Sequence, residues 1–201
     1  MPKSPYHELA PEKWQKTTER LLRVYPLSRD EIVAPILDAW ESMFESKIGR
    51  HGIRIGRDLF PTPQIMGSYL HELIPLEFAA RYPGQWRGDE TAGEKDLVYI
   101  PDDRFSTEIK TSSHKAKIYA NRSYAQESAT FKKDKSGYYI AVNFEKFDRT
   151  RRTPQEPRIR RIRFGWLDHT DWKAQEKPTG QQASLRPESE RLKLLVIYEA
   201  A

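Results

Sequence analysis

The sequence predicts an α/β fold in which a helical N-terminal part precedes a central mixed sheet flanked by helices. Three observations carry this. Helix-start signals recur through residues 1–82, period-two apolar segments dominate from 96 onward, and no internal repeat suggests stacked units. A chain of 201 residues suits one domain, long enough to bury roughly 70% of its unfolded surface in one core.

Pro11 to Val24 reads as the first helix, with Trp14, Leu21, Leu22 and Val24 as its apolar positions. The second, Ser28 to Ile48, opens on a capping box, Ser28-Arg29-Asp30-Glu31, in which the serine caps the start and the glutamate reaches back. Pro35 should kink that helix or shift its true start. Thr62-Pro63 supplies an N-cap and a first-position proline for a third helix running towards Ala80, with Pro75 interrupting it. Pro83 to Lys95 reads as loop. The strand candidates are Asp96 to Ile100, Phe105 to Ser112, Gly137 to Phe144, Ile159 to Leu167 and Leu192 to Tyr198. Two proline-bearing polar segments, Asp148 to Pro157 and Lys173 to Glu190, read as exposed connections.

Composition narrows the function classes. There is no cysteine, which excludes disulfides, thiol catalysis and zinc-thiolate sites and fits a reducing cytoplasm. No apolar run approaches the ~20 residues of a membrane span, and no hydrophobic leader is visible at the start. Mean hydropathy is −0.81, so much of the surface must be polar. Lys and Arg total 34 against 29 acids, giving net +5, which suits a polyanionic partner without demanding one.

The chemistry concentrates in Glu94-Lys95-Asp96-Leu97-Val98-Tyr99-Ile100 and Phe105-Ser106-Thr107-Glu108-Ile109-Lys110-Thr111. Alternation puts Phe105, Thr107, Ile109 and Thr111 on one face of a strand and Ser106, Glu108 and Lys110 on the other. If the hairpin register lets Asp96 join Glu108, two carboxylates can hold a hard divalent cation with an ammonium beside it for a water and a phosphate, which is nuclease chemistry. The bland reading is a solvated hairpin face. Register decides between them: with Pro101 to Arg104 as a four-residue loop, Asp96 falls opposite Ile109 on the wrong face, so a three- or five-residue loop or a bulge is required. The same chain holds a decoy in Asp38, Glu45 and Lys47. Those lie in a helical segment, where residues two apart point about 200° apart and cannot share a metal.

A third carboxylate from a neighbouring helix would complete such a site. Winding the third helix with Ile65 as origin puts Met66, Tyr69, Leu70, Leu73, Leu76 and Ala80 in one stripe. Glu77 falls inside that stripe, so it is the candidate, with Glu72 just outside as reserve. A carboxylate on an apolar face must be paired or metal-bound, and an arginine partner would serve Glu77 equally well.

The spacing of Asp96 and Glu108-Ile109-Lys110 resembles the PD-(D/E)XK nucleases. More of the chain resembles the ScaI family of type II restriction endonucleases: Phe60-Pro61-Thr62-Pro63-Gln64-Ile65-Met66-Gly67, His71-Glu72-Leu73-Ile74-Pro75-Leu76-Glu77, Glu108-Ile109-Lys110-Thr111-Ser112-Ser113-His114, Asn121-Arg122-Ser123-Tyr124-Ala125-Gln126 and Arg163-Phe164-Gly165-Trp166-Leu167-Asp168. Lys95 stands where the motif's proline would precede the first acid. The resemblance implies a restriction-endonuclease-like core and a Mg²⁺-dependent homodimer that cuts both strands of double-stranded DNA at a short palindrome, six base pairs long. The ends would be blunt with 5′-phosphates. It further implies that Asp96, Glu108 and the Ile109 carbonyl ligate the metal and that Lys110 orients or deprotonates the attacking water.

Base reading needs paired donors and acceptors, and phosphate contact needs cations or small polar groups. Two segments offer these: one containing Lys115, Lys117, Asn121, Arg122, Ser123, Tyr124, Gln126, Lys132 and Lys133, and the other containing Thr179, Gly180, Gln181 and Gln182. Either can equally be an ordinary solvated loop. The arginines at 149, 151, 152, 158, 160, 161 and 163 are basic enough to touch backbone, or serve as a charged strand edge. Asp168-His169-Thr170-Asp171 reads as a turn rather than a second metal site. Two rival functions stay open: a structure-selective repair or junction nuclease on the same core, and a DNA-binding module whose acids and lysine merely pair.

Overall fold

A computed structural model describes residues 4–127, 134–148, 150, 156–177 and 179–200. The N-terminal third is helical as expected: α1 (Trp14–Val24) behind a 3₁₀ turn, α2 (Arg29–Glu45) and α3 (Pro63–Arg81). The capping box of α2 closes, with Ser28 N–H donating to Glu31 at 2.8 Å and Glu31 N–H to Ser28 Oγ at 3.4 Å. Thr62 sits at the N-cap of α3, but its side chain makes no capping bond. Both helices run on through Pro35 and Pro75; each proline removes one backbone hydrogen bond, and each is buried, so packing offsets the loss.

The strands are β1 (Trp86–Gly88), β2 (Leu97–Tyr99), β3 (Thr107–Ser112), β4 (Tyr119–Asn121), β5 (Gly137–Phe144), β6 (Ile159–Leu167), β7 (Trp172–Ala174) and β8 (Gln182–Leu185), followed by α4 (Pro187–Lys193) and β9 (Leu194–Glu199). Six form a mixed sheet in the order β1-β2-β3-β5-β6-β9, with β3 and β5 parallel and the other neighbours antiparallel. A second antiparallel sheet has the order β4-β8-β7.

β5 explains the layering, because it is buried on both faces. Tyr138, Ile140, Val142 and Phe144 join the core made with α1, α2 and α3. Tyr139 and Ala141 point the other way, into a smaller core with Ile118, Tyr124, Trp172, Ala183 and Leu185 beneath the second sheet. Helices therefore cover one face of the main sheet and the small sheet covers part of the other. No helix among the described residues is long and apolar enough to cross a membrane.

Four expectations change. The loop between Pro83 and Lys95 contains β1, and Lys173 to Glu190 is not simply an exposed connection, since it holds most of β7, all of β8 and part of α4. These pieces are too short for periodicity to show and exist through pairing with distant strands. The last strand starts at Leu194 rather than Leu192, because α4 takes the residues before it. The stripe on α3 is rotated: Met66, Gly67, Leu70, Ile74, Pro75 and Phe78 are buried, whereas Ile65, Tyr69 and Leu76 are 48, 43 and 62% exposed. The helix lies between α2 and the sheet, with Gly67 at the close approach, where a Cβ would stand 3.0 Å from Thr111 Oγ1.

Candidate active site

β3 positions the central residues. Its register with β5 sets Glu108 beside Tyr139 and Lys110 beside Ala141, so both point towards the small sheet, while Ile109 lies beside Ile140 in the helix-side core. The alternation expected from sequence holds. Leu97 of β2 pairs with Thr107, so one step further Asp96 stands level with Glu108, not with Ile109. The connection that achieves this runs from Ile100 to Ser106 through a 3₁₀ turn at Asp103–Phe105. Asp102 caps that turn by accepting the Arg104 N–H at 3.1 Å, and Ser106 Oγ accepts the Tyr99 N–H at 3.0 Å.

Asp96 and Glu108 are 6% and 1% exposed, a costly setting for two carboxylates without cationic partners. Lys110 supplies the charge: its Nζ lies 2.6 Å from Glu108 Oε1, 3.1 Å from the Ile109 carbonyl and 3.8 Å from Asp96 Oδ2. Asp96 Oδ2 also accepts the Ile109 N–H at 2.8 Å, taking up a β3 donor just beyond the end of short β2. Tyr124 donates its hydroxyl to Glu108 Oε1, and its ring lies 4.7 Å from Lys110 Nζ. From α3, His71 Nε2 stands 3.2 Å from Asp96 Oδ2, and that contact raises the imidazole pKa against the opposing effect of burial.

Of the sequence candidates, Asp96, Glu108, Ile109 and Lys110 are thus brought together. Glu77 is not brought to them. It is half-buried, and six residues beyond His71 on one helix it points about 120° away and ~9 Å further along the axis. Glu72 is exposed, 3.9 Å from His71. The α3 residue that reaches the acids is His71, which the sequence did not single out because the apolar stripe through Ile65, Tyr69 and Leu76 is not the face that packs. Among the described residues no three His, Cys, Asp or Glu side chains converge as a metal-holding group. Glu108 Oε1, the Ile109 carbonyl and Asp96 Oδ2 surround the Lys110 ammonium, and two carboxylates with a main-chain carbonyl are a hard-oxygen donor set of the kind that suits Mg²⁺.

The DNA-contact candidates divide. Tyr124 is buried with its hydroxyl on Glu108, and it lines the concavity that also holds Asn121 and Gln182. Arg122 turns its guanidinium onto the carbonyls of Lys177 and Gly180, 3.3 Å from each, and its N–H donates to the Gln181 carbonyl at 2.7 Å, so the two candidate segments are joined. The Ser123 carbonyl accepts from Lys135 at 2.7 Å. Lys115, Lys117, Asn121, Gln126, Thr179, Gln181 and Gln182 are exposed. Lys132 and Lys133 lie outside the described residues, as do the arginines at 149, 151 and 152.

The remaining arginines are occupied. Arg158 and Arg160 stand 3.8 and 3.7 Å from Glu145, and Arg161 pairs with Glu199. Arg163 is buried; it contacts Glu190 at 3.1 Å and Asn143 at 3.0 Å and donates to the Ala116 carbonyl. Asn143 in turn donates to the carbonyls of His114 and Lys117 at 2.9 and 3.1 Å, which shapes the loop that follows β3. The Asp168–Asp171 segment is a turn as expected, tied to α4 by Lys193 at 2.8 Å from Asp171. The decoy also resolves: Asp38 and Glu45 sit within α2, and Asp38 pairs with Arg81.

Two concavities flank the acids. One of about 760 Å³ is lined by His71, Gly67, Ser112, His114 and Lys146 among others. The second, about 610 Å³, includes Lys110, Asn121 and Gln182.

The ScaI restriction endonuclease family model matches residues 4–198. The chain is similar to the type II restriction enzyme ScaI of Streptomyces caespitosus, at 52% identity over 196 residues, covering 97% of this chain and 85% of that protein. No solved structure matches it.

Proposed function

This chain belongs to the ScaI restriction endonuclease family, and on that premise we propose that it is a Mg²⁺-dependent type II restriction endonuclease. It cuts both strands of DNA at a six-base-pair palindrome to leave blunt ends with 5′-phosphates. The observation that carries the reading is the convergence of Glu108 Oε1, the Ile109 carbonyl and Asp96 Oδ2 on Lys110 Nζ at 2.6, 3.1 and 3.8 Å.

Asp96, Glu108 and the Ile109 carbonyl would hold Mg²⁺, which, when bound, supplies Lewis-acid stabilisation of the charge that builds on the phosphoryl oxygens. Lys110 orients the attacking water or, as the neutral amine, takes its proton, and the ammonium so present offsets charge as the water attacks in line with the leaving 3′-oxygen. Tyr124 fixes the rotamer of Glu108, and His71 that of Asp96, so both carboxylates are preorganised rather than collected by the substrate. A palindrome has two-fold symmetry, so a C2 homodimer presents one such site to each strand.

Digestion of DNA of known sequence with Mg²⁺, followed by mapping of fragment ends, tests the proposal. One palindromic motif with flush 5′-phosphate ends, abolished by chelator, is expected. Cutting independent of sequence would favour a structure-selective nuclease, and metal-independent binding without cutting would favour a plain DNA-binding module.

A further inference from the structure

The small sheet carries a row of amides that no single stretch of sequence displays. β4 pairs Asn121 with Gln182 of β8, and β8 pairs Ala183 with Ala174 of β7, so the next residue, Gln175, stands beside Gln182. The Gln175 N–H confirms the register by donating to the Gln182 carbonyl at 2.9 Å. Asn121, Gln182 and Gln175 therefore occupy one cross-strand rank and share a face. One step along, Ala120, Ala183 and Ala174 form the opposite face, where Ala183 is fully buried in the smaller core. The amides are exposed, and they line the same concavity as Lys110, together with Gln181.

We propose that Asn121, Gln182 and Gln175 form a base-reading rank that recognises adenine edges in the major groove beside the cleavage site. This rank rests on the restriction-endonuclease reading above and gives that enzyme a specificity surface. Neighbouring strands are about 4.8 Å apart, so the rank presents three amides on a front of ~10 Å, which fits a major groove about 12 Å wide. An amide offers one donor and one acceptor side by side, the complement of adenine N7 and N6–H₂. Gln175 Nε2 already donates to Gln182 Oε1 at 3.4 Å, which restrains both side chains before DNA arrives. Proximity to Lys110 puts the bases read next to the phosphate that is cut.

The test uses duplexes containing the motif that the wild type cuts, with 7-deazaadenine replacing each adenine in turn, and measures binding in Ca²⁺. Wild type should lose about 2- to 12-fold at each adenine read, because 7-deazaadenine lacks the N7 acceptor but keeps N6–H₂, so one hydrogen bond of the pair is lost. Asn121→Ala, Gln182→Ala and Gln175→Ala should each erase the sensitivity at one position of each half-site, since the dimer presents every side chain twice, and leave the others intact. These exposed side chains are not needed for the core, and Gln182→Glu provides a second readout, because a carboxylate accepts from cytosine N4 and should move preference towards C at its position. The inference is overturned if all three alanine variants keep the wild-type pattern, if the mapped motif contains no adenine, or if wild type is indifferent to every 7-deaza substitution while still cutting one motif. Those outcomes leave the nuclease assignment standing. A wild type that selects no motif removes both.

Discussion

Tyr124 donates its hydroxyl to the same Glu108 oxygen that Lys110 holds at 2.6 Å. A residue that the sequence suggested as a DNA contact thus bonds directly to one of the candidate metal-binding acids. It is seated there by edge contact with Trp172 at 5.7 Å and by the cation of Lys135 5.3 Å from its ring.

Tyr124→Phe keeps the ring and removes only the hydroxyl. Loss of a hydrogen bond to a charged group should lower stability by about 1.5–3 kcal/mol and reduce kcat about tenfold, with KM for DNA little changed. Steady-state kinetics and a thermal melt check this. An unchanged kcat would show that Glu108 is oriented without the phenol.

Asp96→Ala or Glu108→Ala should abolish cleavage by about a thousandfold or more, since several kcal/mol of transition-state stabilisation depend on the metal that these acids would hold. Sequence-specific binding should survive and can tighten, because repulsion between the carboxylate and phosphate is relieved. Lys47→Ala is the control: the acids of its D…E-x-K pattern lie in α2, with Asp38 paired to Arg81, so turnover should stay at the wild-type level. A cleaving Asp96→Ala variant would sink the assignment.

Arg122→Ala tests whether that side chain reads bases or holds the turn that does. Its guanidinium lies 3.3 Å from two carbonyls in the turn before Gln181 and Gln182. Removing it should loosen that turn to limited proteolysis and cost about 1–3 kcal/mol of discrimination at particular positions of the site. Uniform weakening across all sequences, with a salt slope lower by about one, would instead mark a phosphate contact.

The capping box gives a pH-dependent prediction remote from the acids. The hydrogen bond from Ser28 lowers the Glu31 carboxyl below its ordinary 4.5. A depressed folded-state value means that the ionised cap stabilises α2 above 4.5 and loses that effect as pH falls through the lowered value. Glu31→Ala should therefore melt below wild type at pH about 7, with the gap closing as pH drops through this window. Paired melts across that range decide it, and a gap independent of pH would contradict the role.

The sequence by itself determined the three long helices, the long strands and the acid-x-lysine of β3, because each is written in local periodicity or a capping pattern that short-range sterics enforce. It also showed that a simple four-residue loop would put Asp96 on the wrong face. Only the tertiary structure decided how that is avoided: a 3₁₀ turn between β2 and β3 brings Asp96 level with Glu108. The rotation of α3 was likewise undecided locally, since its apolar residues extend around most of the helix. Packing against α2 and β3 chose the face, exposing Leu76, leaving Glu77 away from the acids and bringing His71 to Asp96. β4, β7 and β8 are three or four residues each and have no stability of their own. They form because strands far apart in the chain pair and bury alanines over Tyr139 and Ala141, and that pairing aligns Asn121, Gln182 and Gln175.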